Sequence, residues 1–488
     1  MADILVLRQA IANLPQDNAL KTIETVVGWL QSVQLADNPN PGRLYEAASQ
    51  LEDAVAERLS RLSHDYLYTA RLSRAEESRL WLLNHNYWSL LAATYERCLP
   101  SQTSGSQLAE TVKATLPALC TRLIAALGAV LKWTCFHHLR ADDEIWRRLG
   151  QTLQIAEQAG VASRTVKRQH AAPSSPVREY AKAMIFHAAS LDGLMPPETE
   201  LAVRLIEYFL NNFVFTAEAH PDNVYWVDLQ EAQPPQRLAL MPEAPPSTLR
   251  FYQPGEAHTR IGELLGSLEQ GGKIPAAINP DSQYDNRRVL PVLRHLVAYL
   301  APVPPQRQHD RHRVKHRVTV LNGLVNTFVV FSEGFGGRPT GLPTTSWVVD
   351  NVSRGGFGAL VEGKPPAWLR IGALLALQPA GGDNWLLGIV RRYHQESSDL
   401  ARIGIETIAR QTLSIELEAR PAAIGTPALL LENHGQPGEV KVILPPHSFD
   451  LQETLECSIN GQRYRFSPIA LVEYTADYEL ARYQLSQL

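Results

Sequence analysis

From the start of the chain to about residue 215, apolar residues recur at intervals of three and four. Leu44, Leu51, Val55, Leu59 and Leu62 share one face of one such segment, and Leu80, Leu83, Tyr87, Leu90 and Leu91 share a face of another. A third segment runs through Leu108, Val112, Leu116, Leu119, Leu123, Leu127 and Val130. Clusters of Pro and small polar residues at 38–42, 100–105 and 171–176 separate helices rather than domains. With no fixed-period repeat, the pattern predicts an all-α bundle or irregular helical array over residues 1–215, an all-helical interaction domain.

Residues 216–305 change texture. Val224–Leu229 reads as a strand, Pro234-Pro235 and Pro245-Pro246 break the chain, and two helical patterns come after them around Ile261–Leu268 and Leu290–Leu300. This is a mixed, Pro-rich connecting region. Its last helix stops at Pro302-Val-Pro-Pro305, which cannot continue a helix and delivers an extended lead-in to a basic run. From Arg317 the period switches to two. Candidate strands are Val318–Val320, Val325–Phe331, Ser346–Val349, Gly358–Val361, Leu374–Leu377, Leu386–Arg391 and Ala401–Thr407, each bounded by turn residues. Strands this short and regularly spaced predict a small antiparallel β-barrel over 306–410. The β texture continues through Ala428–Glu432, Glu439–Leu444, Thr454–Ile459 and Tyr464–Tyr474, a second and smaller β module over 411–488. The fold class is therefore multidomain α + β.

Composition narrows the function. An apolar content of 45% and a charged content of 20% describe an ordinary globular chain. The net charge of −4 argues against a general DNA or RNA binder, so any basic site is local. Cys98, Cys120, Cys135 and Cys457 lack paired metal-type spacing and are too few for a disulfide framework, which fits a reducing, cytoplasmic location. The N-terminus has no secretory pattern, and no segment approaches the ~20 uninterrupted apolar residues of a membrane span, so no transmembrane segment is expected. Tyr66, Tyr68, Trp81, Tyr87, Trp88 and Tyr95 read as a large helical core in preference to a partner groove. His137-His138 point about 100° apart on a helix with no carboxylate at ligand spacing, so no metal site is expected.

The chemistry concentrates between Arg313 and Gly356. Arg313-Val-Lys-His-Arg317 lies in the basic run, and 34 positions after Arg317 begins the turn Asn351-Val-Ser353-Arg-Gly-Gly356. Two guanidinium forks followed by an Asn, a Ser and a Gly suit an anionic, guanine-bearing ligand, because an Arg fork can bond a phosphate or a guanine O6/N7 edge in the same planar manner. These two motifs, RxxxR and [D/N]xSxxG, resemble those of the PilZ domain, the bacterial receptor module for cyclic di-GMP, over about 311–410. Leu386–Arg392 and Ala401–Glu406 are similar to the late strands of that barrel.

The resemblance implies a PilZ-type barrel that binds cyclic di-GMP and has no catalytic role. Arg313 and Arg317 would clasp phosphate and guanine from the lead-in, and Asn351 would bond a guanine edge. Ser353 would bond ligand or turn backbone, Gly356 would allow close approach, and Arg311 and Arg307 would add attraction. The chain departs from the pattern in an inserted loop, 332–341, and in His312 before the first Arg, a position that bears on how many ligand molecules bind. A protein partner is expected for the helical region, and no cofactor beyond the ligand. The alternative is a ligand-free scaffold that works only through protein contacts. Other motifs fail on chemistry. Gly358–Lys364 imitates a P-loop, yet Pro365 replaces the Mg²⁺-binding Ser or Thr; the glycine-rich loop has no following helix for a pyrophosphate; and no hydrolase or zinc motif is present.

Overall fold

A computed structural model describes residues 4–15, 17–35, 40–69, 72–100, 110–241, 245–280, 282–306, 310–332, 341–397, 399–419, 425–431 and 438–488. Residues 38–39 and 101–105 of the expected breaks, Leu108, Arg307, Glu432 and residues 333–340 of the inserted loop lie outside these. The chain divides into two compact units that part at Pro305, apart from three residues around 193.

The first unit carries the helices α1 (Ile4–Ala12), α2 (Ala19–Gln34), α3 (Pro41–Tyr68), α4 (Arg74–Glu96), α5 (Glu110–Phe136), α6 (Glu144–Gln158), α7 (Pro176–Ala188), α8 (Pro196–Tyr208), α9 (Ala257–Glu269) and α10 (Asn286–Tyr299). Their starts are written in the sequence. Asn18 and Asn40 each accept a backbone N–H of the first turn, and Ser73 with Glu76 forms a capping box. The apolar stripes face inward as expected: Leu51, Val55, Tyr87, Leu91 and Tyr95 are fully buried. Of the six aromatics, Tyr66, Tyr87 and Tyr95 are buried, and Trp81 donates to the Trp133 carbonyl at 2.6 Å while stacking on His137. The stretch Ala114–Phe136 of α5 is long and apolar enough to cross a membrane, but 61% of it is buried inside the protein. It also holds Arg122, whose guanidinium bonds Glu52 at 2.7 Å and Asp53 at 3.0 Å in the helical core.

Residues 216–305 pack onto these helices. A four-stranded sheet holds Val214–Thr216, Leu249–Gln253, Tyr225–Asp228 and Gln236–Arg237 in that order, and Tyr225–Asp228 is the strand expected at Val224–Leu229. Gly150 of α6 lets the Leu229 backbone approach so closely that a Cβ there would meet the Leu229 carbonyl oxygen at 2.1 Å.

The second unit contains two closed six-stranded barrels. In the first, β1 (His312–Asn322), β2 (Thr345–Ser353), β3 (Gly356–Glu362), β4 (Leu374–Pro379), β5 (Leu386–Ser397) and β6 (Leu400–Ala409) close in the order β4-β5-β6-β3-β2-β1. In the second, β7 (Thr412–Ala419), β8 (Thr426–Leu431), β9 (Glu439–Leu444), β10 (Leu455–Ile459), β11 (Gln462–Tyr474) and β12 (Glu479–Gln487) close in the order β7-β8-β9-β12-β11-β10. All pairings are antiparallel, and the inward positions of the first barrel, among them Val318, Val349, Ala359, Ile403 and Ile405, form one core.

Two expectations change here. The segment Val325–Phe331 is not a strand but lies in helix α11 (Leu324–Ser332). Gly323, at φ +84°, turns the chain out of β1, and Leu324, Thr327 and Val330 then bury one face at helical spacing. The run of β-branched and aromatic residues favours a strand locally, but tertiary packing decides. Strand β1 also begins at His312 rather than Val318, so Arg313 and Arg317 are barrel residues and not part of a lead-in.

The barrels share a second core, in which Leu374, Leu387 and Ile389 of the first meet Leu429, Leu431, Ile443 and Tyr478 of the second, with Leu324 of α11 between them. At its edge Arg391 forks onto Glu473 at 2.6 and 2.8 Å. Burial raises the Glu473 pKa, but hydrogen bonds and charge from Arg391 outweigh it and hold the carboxyl below its ordinary range. Truncating Leu429 to Ala should cost about 2–5 kcal/mol and keep a single urea transition for the isolated 306–488 unit. Two separated transitions followed by tryptophan fluorescence and far-UV circular dichroism would contradict a common core.

Candidate functional site

The pairing register gathers the motif residues. Arg313 of β1 stands directly opposite Asn351 of β2, and Asn351 stands opposite Gly358 of β3. The row continues through Gly404 of β6 to Arg392 of β5. Because the rows on either side hold core residues such as Val349, Ala359 and Ile403, the row Arg313, Asn351, Gly358, Gly404, Arg392 lies on the outer face of the barrel. The next outward row holds Arg317, Val348, Leu360, Arg402 and His394. Arg313 and Arg317 therefore reach the same outer face as Asn351.

Two bulges make this alignment possible. Between Arg313 and His316 strand β1 has one residue more than β2, and between Val349 and Asn351 strand β2 has one more than β3. A bulge bends the strand and re-aims side chains, and the second one brings Asp350 and Asn351 to the same side. There Asn351 Nδ2 donates to Asp350 Oδ1, and Asp350 Oδ2 pairs with Arg402. Gly358 supplies the room: a Cβ at that position would fall 2.3 Å from Asn351 Nδ2 and 2.8 Å from Asp350 Oδ1.

With its Nδ2 committed to Asp350, the amide leaves Asn351 Oδ1 buried and without a donor. An unsatisfied buried acceptor costs about 1–3 kcal/mol, so the position favours any partner that brings an N–H. The two ends of the turn behave differently. Ser353 Oγ donates to the Gly356 carbonyl at 3.1 Å and closes the Arg354-Gly355 hairpin turn. Gly356, at φ +153°, lies so close to β6 that a Cβ would meet the Ile405 carbonyl oxygen at 2.0 Å. The close approach it permits is that of the β6 backbone, which seats the turn on the barrel.

The arginines of this unit fall into two groups. Arg370, Arg391, Arg402, Arg463 and Arg482 each have a carboxylate within 3.2 Å. Among the described residues Arg313, Arg317, Arg354 and Arg392 have none, and Arg317 makes one contact, to Ser346 Oγ at 3.5 Å. All four are exposed and belong to the two outward rows or to the turn beside them. These arginines form an uncompensated cationic patch on a chain of net charge −4, which attracts anions. Arg311 is exposed at the entry to β1, one residue ahead of its first paired position. Motif reading missed Asp350, Gly358 and Gly404, because their importance comes from the bulge and from the strands they pair with. The P-loop imitation at Gly358–Lys364 begins inside β3, an antiparallel strand with no helix after it.

Two family models match the chain. Residues 6–220 match the domain described as "Cyclic-di-GMP receptor FimW, N-terminal domain", and residues 340–413 match "Cyclic-di-GMP receptor FimW, middle PilZ domain". The second match contains Asn351, Ser353 and Gly356 and begins beyond Arg313 and Arg317. No curated protein matches the chain. With both domains matched in chain order over more than half of its length, the chain belongs to the cyclic di-GMP receptor FimW family, its helical region being that family's N-terminal domain and its first barrel a PilZ domain.

Proposed function

We propose that this protein is a bacterial, cytoplasmic receptor that binds cyclic di-GMP on the outer face of its first barrel, with Arg313, Arg317, Asn351, Ser353 and Arg311 at the ligand and Gly356 seating the turn. The observation that carries the reading is the buried, donorless Oδ1 of Asn351, set in register opposite the unpaired Arg313. Guanine offers donors at N1–H and N2–H₂ on one edge, and each half of the ligand adds a phosphate anion. The amide oxygen takes the first and the guanidinium forks take the second. Adenine lacks the adjacent N1–H and N2–H₂ donors, and its one exocyclic donor, N6–H₂, stands where guanine carries the O6 acceptor, so it does not present the same edge to the amide and the forks. A protein-only scaffold has no use for a patch of unpaired arginines beside such an amide. The chemistry is recognition without catalysis.

The output is carried toward the helical unit through residues 302–311, the short link between the Pro302-Val-Pro-Pro305 stop and the start of β1. Ligand held by Arg311 and Arg313 restrains this link and biases what the helical unit presents to a protein partner. The ligand is thus an ordering agent placed within a few residues of the domain boundary at Pro305.

Three outcomes are expected. Arg313→Ala and Arg317→Ala should each weaken cyclic di-GMP binding roughly 5- to 150-fold by calorimetry, the equivalent of about 1–3 kcal/mol, and wild-type affinity in both would sink the assignment. Asn351→Ala should weaken binding by a similar factor with no loss of thermal stability, since it removes an unsatisfied acceptor, and wild-type protein should prefer cyclic di-GMP over cyclic di-AMP by at least about 100-fold. In hydrogen exchange, saturating ligand should slow amides of 310–317 and alter peptides within 6–220. Protection confined to the barrel would remove the coupling and leave the binding intact.

A further inference from the structure

Arg392 is an unusual arginine for its strand. Its neighbour Arg391, the bulged residue between the paired positions Val390 and Arg392, is bound by Glu406 and by Glu473. Arg392 is exposed and has no hydrogen bond or ion pair with any described residue. Its stem is nevertheless positioned. It lies across Gly404, where a Cβ would meet Arg392 Cβ at 3.3 Å, Cγ at 3.7 Å and Cδ at 3.8 Å. The next position in that row is Gly358 and the one after it is Asn351. The two glycines are thus covered from either end, Gly358 by the Asn351 and Asp350 side chains and Gly404 by the Arg392 stem, so Asn351 and Arg392 lean toward each other over adjacent positions of the row.

From these observations, and resting on the reading of the Arg313–Asn351 face as a cyclic di-GMP site, we infer that Arg392 is the second clamp of the same site. The row from Arg313 to Arg392 crosses four strand spacings of roughly 4.8 Å, about 19 Å along the curved surface. Arg313 and Asn351 hold one guanosine phosphate of the ligand. The two-fold relation of the cyclic dinucleotide carries the other half along the row, where the Arg392 fork takes its phosphate or its guanine O6/N7 edge. Selectivity for a dinucleotide over a mononucleotide comes from this far end.

The test is calorimetry with cyclic di-GMP on the full chain carrying Arg392→Ala, Arg392→Lys or, as a control, Arg410→Ala. Arg410 is an exposed arginine of the same unit that lies past the end of β6 and outside both rows. Arg392→Ala should lose roughly 5- to 150-fold in affinity, Arg392→Lys should recover only part of it because an ammonium lacks the fork, and Arg410→Ala should stay within about twofold of wild type. Thermal melting of each variant, unchanged for an exposed side chain, shows that folding is not the cause. Wild-type affinity in Arg392→Ala, or an equal loss in Arg410→Ala, overturns the second clamp. If Arg313→Ala still loses affinity in that case the first clamp stands, whereas wild-type binding in both Arg313→Ala and Arg392→Ala overturns the site itself.

Discussion

The site depends on strand register more than on any single side chain. One extra residue in β1 and one in β2 bring Arg313, Asn351 and Gly358 into a single row on the outside of the barrel. A shift of one residue in either strand would send these side chains to the opposite face, since successive strand residues alternate. The inward neighbours Val349, Val352 and Ala359 pack in or against the barrel core and pin that register. Burial of the core therefore fixes where the polar residues stand. Gly356 belongs to the same constraint, because only a residue without a side chain lets the turn lie against the Ile405 backbone.

Charge is arranged to leave the site hungry. Acidic partners neutralise the structural arginines, including Arg391 at the seam of the two barrels and Arg402 beside Asp350. Carboxylates are withheld from Arg313, Arg317, Arg354 and Arg392 among the described residues. Asp350 itself does not oppose this. Its charge is taken up by Arg402, and its other oxygen orients the Asn351 amide so that the carbonyl oxygen is the atom left without a partner. An anionic ligand with guanine donors satisfies both deficits at once.

Much of this was legible in the sequence, and the rest was not for identifiable reasons. Three-and-four spacing marked the helical region, period two marked the barrel strands, and the spacing of Arg313–Arg317 and Asn351–Gly356 marked the candidate site. Helix α11 was hidden because its Val and Phe residues favour a strand locally, and only packing between two barrels makes the segment helical. The extension of β1 to His312 was hidden because Arg313–Arg317 has no apolar alternation, its pairing being set by β2. Asp350, Gly358 and Arg392 carry no motif. They come beside Arg313 and Asn351 only when strands distant in sequence are placed side by side, which one-dimensional spacing does not record.

The central claim is that the ligand lies on the outer face of the first barrel with a guanine edge on Asn351. A crystal structure of the full chain with cyclic di-GMP tests it most directly. The account predicts guanine N–H donors within hydrogen-bond distance of Asn351 Oδ1, roughly 2.7–3.2 Å, with phosphates on Arg313 and Arg317. Ligand bound on the second barrel, or on the first with Asn351 still held by Asp350 and facing no donor, would contradict it.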